Sequence, residues 1–359
     1  MDRRAFAALL ATGLAGCSDV TDAPRGEGAT AGSERPTTTA APTETDAPTA
    51  TETTTSRPTP SAVDVGGVAA KREPYDLREV PYEERPQFIH DRREPPECRY
   101  DAARVHELPN VVESTIRGER GIMPLRTSRL ALRLLHCHRE IGRDPYLEKA
   151  KEIGAAFLET ATRTDDGSLY FPYTMAKGGS GVTLDPPWYS GMSQGTSLSA
   201  YLRLHEQTGE ERYAEIADAV FRSFVRLKRS AGGGPWTVMV DDDGYYWIEE
   251  YPHDPPTHVL NGFNVGLWGL YEYWLLRKTA FSEALVQAAI TTVARHLEEY
   301  RVPGEVSWYG LNRGYRGNDF YHAVHIHQLR QLHRITGDDY FDEMRRKFES
   351  DNPESAGTG

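Results

Sequence analysis

The sequence predicts an all-α fold of paired helices, and three observations carry that prediction. A helix–turn–helix unit recurs along the 359-residue chain, the connections between units are long and aromatic, and no aromatic residue occurs between Phe6 and Tyr75. The first fifth of the chain therefore cannot furnish a core. Helical rhythm sets in near Arg126. Leu134-Leu-His-Cys-His-Arg-Glu-Ile-Gly142-Arg-Asp-Pro-Tyr146 leads into a helix expected over Leu147 to Thr160. Arg203-Leu-His-Glu-Gln-Thr-Gly209-Glu-Glu-Arg-Tyr213 leads into Ala214 to Leu227, and Leu332-His-Arg-Ile-Thr-Gly337-Asp-Asp-Tyr340 opens a last helix. A weaker copy, Leu275-Leu-Arg-Lys-Thr-Ala280-Phe281, precedes Ser282 to Tyr300. Each unit reads as a helix, a glycine-containing C-terminal turn, an aromatic that packs back, and a second helix.

The units recur roughly every 60 residues, whereas open tetratricopeptide solenoids repeat at about 34 with short connections. An α/α toroid, an incomplete barrel of helical hairpins with short β-hairpin or loop insertions, is therefore favoured. Strand-like or loop segments rich in aromatics are expected at Leu169 to Tyr173, Trp236 to Val240, Tyr245 to Ile248 and Val306 to Leu311. Loops of that length are uncommon unless they carry function. All six tryptophans lie between positions 188 and 308. Trp268 and Trp274 sit on a helix and read as core. Trp188, Trp247 and Trp308 sit in loops and read as groove platforms, suited to the C–H faces of sugar rings.

Acidic side chains outnumber basic ones, 53 to 41, for a formal charge of −12. That repels phosphate backbones, so nucleic acid is not an expected partner. Only seven of the basic residues are lysine, which suits life in high salt or an arginine-rich coding bias. Three cysteines cannot build a disulfide scaffold, and pairing of Cys98 with Cys137 is left open.

The N-terminus divides into clear segments. Residues 1–17 combine Arg3-Arg4-x-Phe6, an apolar run too short to span a bilayer, and Leu14-Ala15-Gly16-Cys17. They resemble a twin-arginine lipoprotein signal, with Cys17 the lipid-attachment residue. The expected location is the outer face of the cell membrane. Residues 18–62 form a linker: between Pro36 and Ser61 lie 11 threonines and five prolines, a composition that solvates rather than collapses. Residues 63–125 read as a lead-in, and 126–350 as the toroid.

Three loops concentrate polar and aromatic groups. Pro187-Trp188-Tyr189-Ser190-Gly191-Met192-Ser193-Gln194-Gly195 opens an inner helix, whose N–H groups favour an anionic ligand. Trp247-Ile-Glu249-Glu250-Tyr251-Pro252 leads to Val259-Leu260-Asn261-Gly262-Phe263. Val306-Ser-Trp308-Tyr309-Gly-Leu311 leads to Asp319-Phe320-Tyr321-His322-Ala-Val-His325-Ile-His327. Taken alone, Glu249-Glu250 reads as a solvated pair and the tyrosines as packing. His322, His325 and His327 lack a third ligand at helical spacing, so no metal is expected. Asp241-Asp-Asp-Gly244 lacks calcium-loop spacing and reads as a turn.

Together the three loops resemble the C-terminal domain of the D-glucuronyl C5-epimerases, over about Arg126 to Phe348. The resemblance implies an α/α toroid that inverts C5 of glucuronate in a heparan-sulfate-type or other acidic polysaccharide, without a cofactor. It also implies homodimer formation. By motif position it places catalytic groups at Glu250, Tyr251, Tyr309 and Tyr321. Glu250 and Tyr321 are expected to handle protons on opposite faces, and Tyr251 and Tyr309 to bind the carboxylate or glycosidic oxygen. Trp188, Tyr189, Ser190, Gln194, Asn261, Arg313, His322 and a neutral His325 are the expected substrate contacts. Gly310-Leu311-Asn312, Phe320 and Val265 depart from the family pattern, and residues 63–125 are too few for the family's large β-rich N-terminal portion.

Three other readings compete. A polysaccharide lyase forms the same C5 carbanion but expels the C4 oxygen. A glycoside hydrolase wants two opposed carboxylates about 5 to 9.5 Å apart, and Asp165, Asp185 and Glu250 offer no obvious pair. A surface lipoprotein that only binds carbohydrate has no need of the tyrosine–glutamate set.

Overall fold

The computed structural model describes residues 61–86, 98–116, 118–178, 182–312 and 317–356. The signal, Cys17, all but the last two residues of the expected linker, and Arg313 lie outside the described residues. Four helical hairpins follow one another along the chain. Helices α1 (Pro124–Ile141) and α2 (Asp144–Glu159) form the first, α3 (Gly191–Thr208) and α4 (Glu211–Arg222) the second. The third comprises α5 (Leu260–Arg277) and α6 (Ala280–Tyr300), and the fourth α7 (Asp319–Thr336) and α8 (Asp339–Asp351). A short α9 (Pro353–Ala356) packs back on α7 and α8. Among the described residues no helix is long and apolar enough to cross a membrane.

Tight turns close the hairpins where the sequence places them. Gly142, Gly209 and Gly337 have φ of 72°, 71° and 67°, and each N–H bonds the carbonyl of the last helical turn. That left-handed backbone is strained for a residue with a Cβ. In the third hairpin Lys278 takes the same conformation at φ 49°, not Ala280. Ala280 instead opens α6 behind a Thr279 side-chain cap, so the missing glycine is why that copy looks weak in sequence. Helix α4 ends at Arg222, short of the expected Leu227, where turns lead into a 3-10 segment at Lys228–Ser230.

The inner helices α1, α3, α5 and α7 pack in succession, each backed by its outer partner. Because every hairpin reverses the chain, the four inner helices run parallel, with their N-termini at one end. This is the expected α/α toroid. Helices α3 and α5 are buried all round, from Gly191 to Leu204 and from Leu260 to Trp274, as a helix enclosed on every side must be. They approach backbone to backbone: a Cβ on Gly195 would sit 2.6 Å from the Gly266 Cα and 2.6 Å from the Val265 carbonyl oxygen.

Small antiparallel hairpins fill the connections. Strands β5 (Thr162–Arg163) and β6 (Leu169–Tyr170) precede α3, and β7 (Val238–Val240) pairs with β8 (Tyr246–Ile248) in the register Met239 to Trp247. Between β7 and β8 the Asp241 carboxylate accepts from the Tyr245 N–H and the Trp247 Nε1, the turn that the sequence suggests.

The lead-in has a definite task. Strands β1 (Ser61–Val65) and β2 (Val68–Arg72) form a hairpin against α6, and β1 starts just inside the stretch assigned to the linker. The chain then crosses the C-terminal ends of the inner helices. The Arg78 N–H bonds the Ile335 carbonyl at 2.7 Å, and the Tyr271 hydroxyl donates to the Arg78 carbonyl at 2.7 Å. Tyr82 inserts under α3, accepting from Gln207 Nε2 at 2.9 Å with the Arg203 guanidinium 4.7 Å from its ring centroid. Arg203 in turn makes a buried two-point contact with Glu272, at 2.8 and 2.6 Å. β3 (Glu113–Ile116) and β4 (Glu119–Ile122) complete the segment, and a disulfide joins Cys98 to Cys137 of α1.

Gly195→Ala should therefore lower unfolding stability by about 1–3 kcal/mol, the usual cost of overpacking a rigid interface. Chemical denaturation checks this, with Ser199→Ala on the same helix expected to cost less.

Candidate active site

The site begins where β8 ends. Glu249 and Glu250 are both buried, against the solvated pair that the bare sequence suggests. Side chains alternate along an extended chain, and these two carboxylates have different tasks. Glu249 folds the following loop back on itself. Its Oε2 accepts from the Thr257 N–H (3.0 Å), the Thr257 hydroxyl (2.8 Å) and the His258 N–H (3.2 Å), while Oε1 meets His258 Nδ1 at 2.7 Å. The His258 ring stacks on Trp247 at 3.7 Å. The Glu249 carbonyl accepts from the Gly191 N–H at 2.7 Å, tying the loop to the start of α3.

Glu250 turns to the other side and lies against Gly262 in the first turn of α5, where a Cβ would collide with its carboxylate. The Tyr309 hydroxyl donates to Glu250 Oε2 at 3.2 Å, and the Tyr251 side chain also hydrogen-bonds the carboxylate. Burial pushes the Glu250 carboxyl above its ordinary range, opposed by the two phenols and by the positive charges of Lys177 and Arg129. A carboxyl tuned upward in this way holds its proton more readily than an exposed one and is suited to general acid–base work.

The remaining groups converge from other elements. The loop carrying Tyr309 is held by the Leu260 N–H on the Tyr309 carbonyl (3.1 Å) and by the Trp308 N–H on the Tyr300 carbonyl (2.8 Å). Tyr321 sits in the first turn of α7, where Asn318 caps its N–H at 3.0 Å. The Tyr309 and Tyr321 rings meet edge to face, 4.5 Å between centroids. On the other flank Tyr251 lies 6.0 Å from Trp188, which stacks flat on Tyr173 at 4.0 Å. The Lys177 ammonium sits 5.0 Å over the Tyr251 ring. One continuous cluster thus spans the N-terminal ends of α3, α5 and α7. Asn261, next to Gly262 in the first turn of α5, is buried, and among the described residues its Oδ1 accepts no hydrogen bond.

The D-glucuronyl C5-epimerase C-terminus family matches residues 165–350, just over half of the chain and all of this cluster except Arg129. The chain belongs to that family. Among curated proteins it is 29% identical to the D-glucuronyl C5-epimerase of Caenorhabditis elegans over 176 residues, covering 44% of this chain and 28% of the relative. It is 26% identical to an uncharacterised protein of Methanocaldococcus jannaschii over 179 residues, covering 50% and 54%. The match thus spans from about a quarter to half of those relatives' lengths. Among solved structures, cellobiose 2-epimerase from Spirochaeta thermophila aligns with a TM-score of 0.44 at 16% identity, covering 62% of this chain and 56% of that one. Unsaturated glucuronyl hydrolase from Bacillus sp. GL1 aligns with a TM-score of 0.44 at 15% identity, covering 64% and 60%.

The structure brings Glu250, Tyr251, Tyr309, Tyr321 and Trp188 together; Asn261 is buried in the first turn of α5, Arg313 lies outside the described residues, and the other expected contacts bond to other elements. Gln194 is spent on scaffolding: it accepts from the Phe171 N–H and donates to the Leu169 carbonyl and the Ser223 hydroxyl. Ser190 caps α3, and the Tyr189 hydroxyl donates to Thr162. His322 has both ring nitrogens engaged, Nδ1 with Ser307 and Nε2 with the Phe348 carbonyl of α8. His325 is buried with Nδ1 on Ser307, and burial brings its pKa down to about 3, keeping it neutral. Trp247, expected in the groove, is core and bonded to Asp241. Trp268 and Trp274 are buried as expected.

Tyr173, Lys177 and Arg129 escaped the sequence reading. Tyr173 and Lys177 belong to a ladder in the long connection before α3, where Tyr173 bridges Trp188 and Lys177 bridges Leu184, a pairing that no turn motif announces. Arg126, Arg129 and Arg133 do share one helical face by spacing, a signal that was legible.

Because the folded-state pKa of Glu250 is raised, stability falls as pH rises from the ordinary carboxylate range through the raised value. Glu250→Gln should therefore melt at or above the wild-type temperature above neutrality, with the difference closing in acid. A lower melting temperature above neutrality would show that its partners outweigh the cost of burying the charge.

Proposed function

We propose that this chain is a uronate C5-epimerase acting on glucuronate residues of an acidic surface or extracellular polysaccharide. The observation that carries the reading is the contact of one buried, upward-tuned carboxyl with two phenols, and of a third phenol with one of these. C5 of a uronate carries a hydrogen α to a carboxylate. Its removal gives an enediolate-like carbanion, and its return from the opposite face inverts the centre. The reaction needs an acid/base group on each side of the ring and positive or hydrogen-bonding groups at the carboxylate.

Glu250 fits the base. Ionised, it takes the C5 proton from one face, with Tyr251 and Tyr309 donating to it in the resting site. Tyr321, one ring removed through Tyr309, supplies a proton from the other face. Trp188, backed by Tyr173, offers an aromatic platform for the sugar, and Asn261 offers an acceptor beside the base. The two phenols bonded to Glu250 are thus tuning groups for the base before any substrate arrives, a task beyond the substrate contacts that the family resemblance implies.

The same proposal sets the protein outside the cytoplasm, lipid-anchored through Cys17 on its threonine- and proline-rich spacer. The Cys98–Cys137 disulfide supports an oxidising compartment. A homodimer remains part of the proposal.

Incubation with a glucuronate polymer in heavy water tests the activity. Deuterium entering C5 with appearance of iduronate signals is expected, without growth of the ultraviolet enoate band. Growth of that band with chain cleavage would replace the epimerase by a lyase. Tyr321→Phe should lose roughly 10²- to 10⁴-fold in turnover, the usual worth of a positioned acid/base group; near-normal turnover would remove Tyr321 from the mechanism. The wild-type rate should fall on the acid side as Glu250 protonates, at a pH above the ordinary carboxylate range.

A further inference from the structure

Carbon-acid chemistry at a uronate brings a second carboxylate beside one that is already buried. At ordinary contact distances two such anions in a poorly solvated site repel strongly, so binding needs cations placed between or beside them. One cation reaches this cluster from outside the Glu250 loop. Lys177 arrives from the Tyr173–Trp188 ladder.

The position of Lys177 is informative. Its ammonium lies over the face of Tyr251, the ring whose other contacts are Glu250 and Trp188. Among the described residues no carboxylate is paired with it; the ring is its close contact. Lys177 is half-buried, so its charge is only partly screened. A sugar seated on the Trp188 platform with C5 toward Glu250 would carry its carboxylate past the Tyr251 face. An ammonium there meets it as a flexible point charge.

We propose that Lys177 is the carboxylate-binding group of this site, selecting uronates over neutral sugars and stabilising the charge that develops on the carboxylate when C5 loses its proton. This rests on the epimerase reading and adds to it the group that recognises the acid. Lys177 itself lies outside every family motif quoted above.

The test uses a glucuronate-containing hexasaccharide and its carboxyl-reduced, neutral counterpart, with binding measured by calorimetry and C5 exchange in heavy water measured in parallel. Wild-type protein should prefer the acid form. Lys177→Met should lose about 10- to 100-fold in affinity for it, the worth of a charged hydrogen bond, and bind the neutral form as before. Lys177→Arg should recover most of the preference. The acid limb of the Lys177→Met rate profile should move to higher pH, because Lys177 holds the Glu250 pKa down; a merely structural lysine would not shift it. Unchanged acid preference in Lys177→Met, with exchange intact, overturns the carboxylate-binding lysine and leaves the epimerase standing. Loss of preference in Lys177→Met, when wild-type protein exchanges no C5 hydrogen, overturns the epimerase and leaves the uronate-binding lysine.

Discussion

The rest of the structure depends on the backbone contact between α3 and α5. Gly195 on one helix faces Gly266 and Gly269 on the other so closely that no Cβ fits between them, and a Cβ on Gly191 would collide with Ile248 and Glu249. A separation that small leaves the end of β8 a single place to lie. Ile248 packs against Gly191 and Gly266, and the Glu249 carbonyl meets the Gly191 N–H. Once Glu249 is fixed, the next residue is driven onto Gly262, and the carboxyl of Glu250 has no room to turn back toward water. Geometry of this kind is paid for in the packing of two buried helices and delivered at one side chain.

The two ends of the ring treat buried charge in opposite ways. At the C-terminal ends of the inner helices, Arg203 and Glu272 satisfy each other through two hydrogen bonds, and the lead-in covers them with Tyr82. That end is closed and its charges are matched. At the N-terminal ends Glu250 is met by hydroxyls and by cations at greater range, and its carboxyl is left with a raised pKa. Incomplete compensation is what a group needs in order to change protonation during turnover. The lead-in, too short to resemble the family's β-rich portion, closes the end away from the candidate site and leaves the other end to the long connections.

Much of this was legible in the sequence, and the rest was hidden for identifiable reasons. Glycine turns announced three hairpins because left-handed backbone all but demands glycine; the fourth used Lys278 and so looked weak. Gln194, Tyr189, His322 and His325 were read as substrate contacts from their motif positions. Sequence records neighbours along the chain, whereas their hydrogen bonds run to Leu169, Thr162, Phe348 and Ser307 on other segments. Glu249 beside Glu250 could not be recognised as an anchor, since its partners sit at Thr257 and His258 across a folded loop. Trp247 shared the loop context of Trp188, and both are buried: Asp241 and His258 enclose Trp247, whereas Trp188 stacks on Tyr173 and donates its Nε1–H to the Met175 carbonyl. The four groups that the proposal makes catalytic were found by pattern, and their contact in one cluster is what the fold adds.

The most direct measurement follows a tritium label placed at C5 of the glucuronate residues in a polymer, beside the same polymer labelled at a carbon that does not react. If Glu250 and the phenols around it remove and return that hydrogen, C5 tritium passes into water while the polymer keeps its length and the control label stays in place. Retention of C5 tritium under conditions where the folded protein binds the polymer would contradict the account, and the ring would be a carbohydrate-binding scaffold without the chemistry.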